Sequence, residues 1–225
     1  MTQIFFREID KLKAQLLAQF ERVEKAVELA CRSLIQLNPL LAEEVFRAEN
    51  LIDEHEIDLQ EECFKIIALH QPVALDLRFI VAVLKFNNDL ERISDLAVNI
   101  AERAQALKEL PRIDPPYDFA VMAKEVQGIL RSAFEALVHL NVSLARHIMA
   151  GDDAVDQRHA ANFRRVIENI QAQPQQVETL LHYLGGSRYL ERIADLATNL
   201  AEEVVYIARG EIVRHQYPHQ MQTDA

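Results

Sequence analysis

The chain has 225 residues, half of them hydrophobic and 26% charged, with only five glycines and seven prolines. Acidic residues outnumber basic ones 35 to 24, a net charge of −11, which argues against a groove for nucleic-acid phosphates and is compatible with cations or a basic partner. So few Gly and Pro argue against an all-β fold, which needs a turn every ~8–12 residues, and the nucleotide-cradling patterns G-x-G-x-x-G and G-x-x-x-x-G-K-[ST] do not occur.

The length is enough to bury a core without metal or disulfide support. Cys31 and Cys63 stand 32 positions apart and form no C-x-x-C, so both are expected as small core residues in a reducing compartment. The N-terminus has no basic stretch followed by an apolar run, so no signal peptide is expected. No apolar run approaches the ~20 residues of a membrane span.

Apolar residues recur every three or four positions between sparse breaks, which predicts an all-α protein. In the first segment Ile9, Leu12, Leu16, Phe20, Val23, Val27, Ala30 and Leu34 form one stripe. Asn38-Pro39 predicts a second helix, with Asn as N-cap and Pro at the first position. Gln71-Pro72 opens a third that runs to about Lys108. Pro111 to Pro116 is the strongest break and is taken as a linker. Tyr117 to His139 reads as a helix, followed by a shorter one that Gly151 ends. Asp152 starts the next, Gln173-Pro174 breaks it, and a last helix runs from about Gln175 to Arg209 with Gly210 beyond its end. The resulting division is 1–110, a linker at 111–116, 117–212, and a tail at 213–225 expected to be disordered.

The run Leu90 to Glu102 lines up with Leu190 to Glu202, identical at ten of thirteen positions, at an offset of one hundred residues. Leu and Ala could coincide by composition. Glu, Arg, Asp, Asn and Glu at matching steps could not, so the chain is read as an internal duplication.

Each copy carries a Glu and an Asp four apart, Glu91 with Asp95 and Glu191 with Asp195. Residues i and i+4 share a helix face, and like charges there destabilise the helix by a few tenths of a kcal/mol. A bound hard cation would turn that repulsion into shared coordination. Asn99, Glu102, Asn199 and Glu202 extend the stripes as secondary oxygen donors. On the preceding rods stand Glu49 with Asp53 and Asp152 with Asp156, which antiparallel packing could bring opposite the first pairs. An all-oxygen set favours magnesium, manganese, calcium or iron over zinc. The bland alternative is a solvated acidic face neutralised by Arg92 and Arg192, or one that docks a basic partner. No His has a Glu three residues before it, which disfavours a di-iron bundle enzyme, and no nucleophile motif is present. Phe5, Phe6 and Phe46 are read as core residues that could alternatively mark a partner surface.

The runs Pro72-Val73-Ala74-Leu75-Asp76-Leu77-Arg78, Asp89 to Asp95 and Arg188 to Asp195, with Asn199 and Glu202, resemble the PhoU family of phosphate-transport regulators over about residues 5–213. The resemblance implies two tandem antiparallel three-helix bundles and a cytoplasmic, non-enzymatic regulatory adaptor. It would negatively modulate the phosphate-starvation response through a sensor histidine kinase, PhoR, and a transporter ATPase, PstB. A homodimer is expected, with membrane association only through partners and no nucleic acid. The resemblance also implies a divalent or trivalent metal, most plausibly iron, manganese or magnesium, on Glu49, Asp53, Glu91 and Asp95 and on Asp152, Asp156, Glu191 and Asp195. Leu96 and Leu196 stand where many relatives carry His after the Asp. The second half lacks a clear counterpart of the Pro-x-Ala-x-Asp-Leu-Arg run. Two rival readings stay open, a carboxylate-cluster metalloenzyme of the di-iron type and a purely structural helical scaffold.

Overall fold

The computed structural model describes residues 3–151, 153–211 and 213. Seven α-helices, α1 (Gln3–Gln36), α2 (Pro39–His70), α3 (Ala74–Glu109), α4 (Phe119–Val138), α5 (Val142–Ala150), α6 (Asp153–Ala172) and α7 (Val177–Arg209), and one 3-10 turn at Pro174–Gln176 make up the regular structure, with no strand among the described residues. The predicted starts hold to within a few residues. The third helix begins at Ala74 rather than Pro72, and the fourth at Phe119 rather than Tyr117. Asp152 lies outside the described residues. So does the tail, except Val213, which packs against the core at 8% exposure although it was expected to be disordered.

The amphipathic stripe of α1 is wholly inside, from Phe5 through Leu12, Leu16, Phe20 and Val23 to Leu34. Phe5 is therefore a core residue, while Phe6 is 54% exposed and Phe46 half-buried. α1, α2 and α3 pack mutually as one antiparallel bundle. In the second half α4 to α7 repeat the plan, and α3 packs along α7 to join the halves. Thirteen of the fourteen buried positions of α3 recur one hundred residues later in α7. Duplication of the core face, and not only of a motif, is what that correspondence means.

The turns repeat too. Leu37 and Leu140 both take left-handed backbone (φ 49° and 47°), and each is followed by an Asn that caps the next helix. Asn38 Oδ1 accepts the Leu40 N–H at 3.0 Å, and Asn141 Oδ1 accepts the Leu144 N–H at 3.1 Å. Gly210 at φ 71° closes α7, and its N–H donates to the Tyr206 carbonyl at 2.8 Å.

The middle rod differs between halves. α2 is one 32-residue helix, whereas Gly151 interrupts its counterpart into α5, of nine residues, and α6, of twenty. α6 leans on α7 and stands off α4, leaving a polar cleft of about 400 Å³ lined by Glu125, Gln157, Arg158, Asn162 and Arg165. Arg158 Nε bridges it to Glu125 at 2.6 Å. At the joint between halves Gly186 admits close neighbours. A Cβ there would stand 2.7 Å from Leu34 Cδ2 and 3.1 Å from Phe119 Cε2.

Both cysteines are buried. Cys31 on α1 sits beside Gln127 of α4, Cys63 lies within the first bundle, and burial pushes both thiols up to about 12.

Candidate carboxylate sites and family relationship

The acidic stripes of α3 and α7 are presented in the same way. From 91 to 100 and from 191 to 200, nine of ten positions share the same degree of burial, with Glu91 and Glu191 half-buried and Asp95 and Asp195 exposed. Apolar neighbours on either side (Leu90, Ile93 and Leu96; Leu190, Ile193 and Leu196) face the core, so the carboxylates are held along the groove beside the adjoining rod.

In the first half α2 and α3 bring the predicted residues together. Burial pushes the Glu49 carboxyl above the usual carboxylate range, and the charges of Asp53, Asp95 and Glu102 push it further. Glu91 is raised by burial and then by Asp95, Asp53 and Glu56, with Arg92 acting against the shift. Asp95 is raised by burial and by Asp53. Mutual repulsion of this kind requires the two rods to present their acids to one another, an arrangement that the spacing allowed. Arg92 is directed chiefly to Asp89, at 3.5 Å, so it only partly offsets the cluster. Asn99 donates its amide to the Asp95 carbonyl oxygen at 2.8 Å, and Glu102 lies 3.8 Å from Arg103.

In the second half Asp156, Glu191 and Asp195 each offer a carboxylate oxygen, and these atoms lie within 4.8 Å of one another. Asp152, the fourth predicted member, is outside the described residues. Asn199 is exposed and Glu202 half-buried. The donor set fits a hard cation, since three carboxylate oxygens converge without a thiolate or imidazole among them. Asp156 also lies in the first turn of α6, where the helix dipole offsets negative charge.

Two residues near these clusters were not singled out from the sequence. Glu56 acts on Glu91, and its carbonyl oxygen accepts a hydrogen bond from Asn87 Nδ2 at 2.8 Å. At the matching place of the second half stands His159, part-buried, with Nδ1 2.9 Å from Ser187 Oγ. The signal was available. An offset of 103 aligns Glu49, Asp53 and Glu56 with Asp152, Asp156 and His159. Asn162 Nδ2 donates to the same Ser187 oxygen at 3.1 Å, so the second half keeps a buried polar cluster behind its carboxylates where the first has Leu59.

The comparisons with known proteins agree with this duplicated design. The model of the PhoU domain matches residues 16–104 and again 119–204. A phosphate-specific transport system accessory protein PhoU homolog of Aquifex aeolicus is 35% identical over 212 residues, covering 94% of this chain and 96% of the relative. The Pseudomonas aeruginosa protein of the same name is 34% identical over 216 residues, 96% of this chain and 89% of its own. The crystal structure of PhoU from Pseudomonas aeruginosa superposes with a TM-score of 0.89 at 33% identity, covering 92% of this chain and all of that one. PhoU from Streptococcus pneumoniae, described as a phosphate transport system regulatory protein, gives a TM-score of 0.83 at 26% identity, covering 93% of this chain and 99% of that one. Two matched domains, continuous relatives above 30% identity and a shared three-dimensional design together place the chain in the PhoU family.

Proposed function

We propose that the protein is the accessory regulator of a phosphate transport system, acting as an adaptor and not as an enzyme. Relatives matched over almost their whole length are phosphate-specific transport system accessory proteins by name, and this chain keeps both halves of the design. The finer reading has it restrain the transporter and its sensor kinase by direct contact, with PstB and PhoR as partners, in the cytoplasm and as a homodimer. No described helix is long and apolar enough to cross a membrane.

The observation that carries the metal part of the proposal is the convergence of Asp156, Glu191 and Asp195 from two rods of the second half, and the acids of the first half stand near enough to repel one another. Glu49, Asp53, Glu91 and Asp95 would hold a cation in the first half, with Glu56 and Glu102 beside them. Asp156, Glu191 and Asp195, with Asp152, would hold one in the second. A divalent or trivalent cation such as magnesium, manganese or iron would supply positive charge there, tying neighbouring rods together and changing the face offered to a partner.

Elemental analysis of protein purified without chelator or metal-affinity resin tests this. The double variant Glu191→Ala, Asp195→Ala should lose about one site's worth of metal while circular dichroism stays unchanged. Unchanged metal content would leave the acidic stripes as docking faces for a basic partner. Failure of the wild-type protein to restore phosphate control of uptake in a strain lacking its own accessory protein would refute the adaptor reading itself.

A further inference from the structure

A cavity of about 360 Å³ opens at the joint between the halves, away from both carboxylate clusters. Its walls come from α1 (Ile9, Leu16), the first turns of α3 (Phe79), the end of α4 (Phe134, Leu137) and the end of α7 (Ile207). Its size falls in the range of small-molecule sites, ~300–1,000 Å³, and a mostly apolar wall with one or two charges is their usual composition.

The mouth carries two charges, Lys13 and Asp76. Asp76 lies in the first turn of α3, whose N-cap Val73 supplies no side-chain bond. The free N–H groups and dipole of that helix start therefore offset the carboxylate. Lys13 has only a loose surface pair with Asp10 at 3.9 Å, and its ammonium sits 5.6 Å from the centre of the Phe79 ring. The less compensated charge at the mouth is thus the ammonium. Leu17, Leu75, Val138 and Leu140 line the lip at 41%, 50%, 55% and 41% exposure, so the entrance is apolar as well.

We infer that this cavity is a binding site for a single-chain anionic amphiphile, its hydrocarbon chain inside the chamber and its head group at Lys13. The Pro72 to Arg78 run, which has no clear counterpart in the second half, then builds one wall of the pocket through Leu75 and Asp76 and leads into Phe79. A volume at the small end of the range of ligand sites favours a single-chain amphiphile over a two-chain lipid.

Calorimetric titration of the purified full-length chain with dodecanoate tests the inference, with dodecan-1-ol and dodecyltrimethylammonium as neutral and cationic controls. Dodecanoate should bind at one site, and Lys13→Glu should weaken it by on the order of fivefold while changing dodecan-1-ol less than about twofold. Ala14→Trp, which places bulk at an exposed lining position, should weaken both while helical content by circular dichroism is kept. Absence of saturable dodecanoate binding, binding unaffected by either variant, or tighter binding of the cationic chain would overturn the inference. So would Lys13-dependent sedimentation with phosphatidylglycerol vesicles in the absence of dodecanoate binding. Neither metal content nor control of phosphate uptake enters these readouts, so the result stands apart from the adaptor function.

Discussion

The two halves carry nearly the same acidic stripe in two different settings. In the first, Glu49 and Asp53 project from the middle of an unbroken helix, and burial and repulsion raise Glu49, Glu91 and Asp95 together. In the second, the rod is interrupted at Gly151, and Asp156 stands in the first turn of a new helix. A helix start favours negative charge, so the dipole of α6 acts on Asp156 in a way that α2 does not act on Asp53. Duplication preserved the ligand types while the backbone around them diverged, so like carboxylates stand on an unbroken rod in one half and at a helix start in the other.

Core packing gives the largest expected contrast. Leu59, at 2% exposure, occupies the position that is Asn162 in the second half. Leu59→Ala should cost ~3 kcal/mol in urea unfolding. Asn162→Leu should cost less than ~1 kcal/mol, because Ser187 keeps its bond to His159 and the cleft beside α6 has space. Equal losses would mean that the second bundle is packed as firmly as the first.

The joint between halves comes next. Phe86 is fully buried in α3, and its counterpart one hundred residues later is Gly186, where Leu34 and Phe119 fill the space. Gly186→Ala should destabilise by ~1–3 kcal/mol, since the new methyl must displace both side chains. A melting temperature unchanged by Gly186→Ala would show that the close approach of α1 and α4 to α7 is easily relaxed.

The smallest effect is electrostatic and belongs to the first cluster. A carboxyl raised in the folded state binds more protons than it does unfolded, so its contribution is most favourable below the unfolded pKa and is lost as pH rises through the folded one. In metal-free protein, stability should therefore fall, through Glu49, Glu91 and Asp95, as pH rises above the ordinary carboxylate range. Glu91→Gln should raise the melting temperature at neutral pH, with the gain disappearing in acid. No gain at neutral pH, or one that persists in acid, would remove the account of mutual repulsion in the first cluster.

Much of this was readable in the residues. The offset of one hundred, the Asn38-Pro39 start and the i,i+4 acid pairs are local patterns, and local patterns fix helices and their faces. The facing of Glu49 and Asp53 toward Glu91 and Asp95 depends on how two rods pack, which the spacing allowed but did not require. Glu56 and His159 were missed because neither belongs to an acid pair, and each gains its place only through Asn87 or Ser187 across the groove. The cavity at the joint escaped notice for a similar reason, as its walls come from four helices far apart in the chain.

The two thiols make the protein its own reporter of opening. Cys31 is covered by α4, across the joint, whereas Cys63 is sealed inside the first bundle. A thiol-reactive label can reach the first only when the halves separate and the second only when the α1–α3 bundle breathes. Because each position can be followed separately by mass spectrometry, labelling rates on the unaltered chain would rank the stability of the joint against that of the bundle it joins.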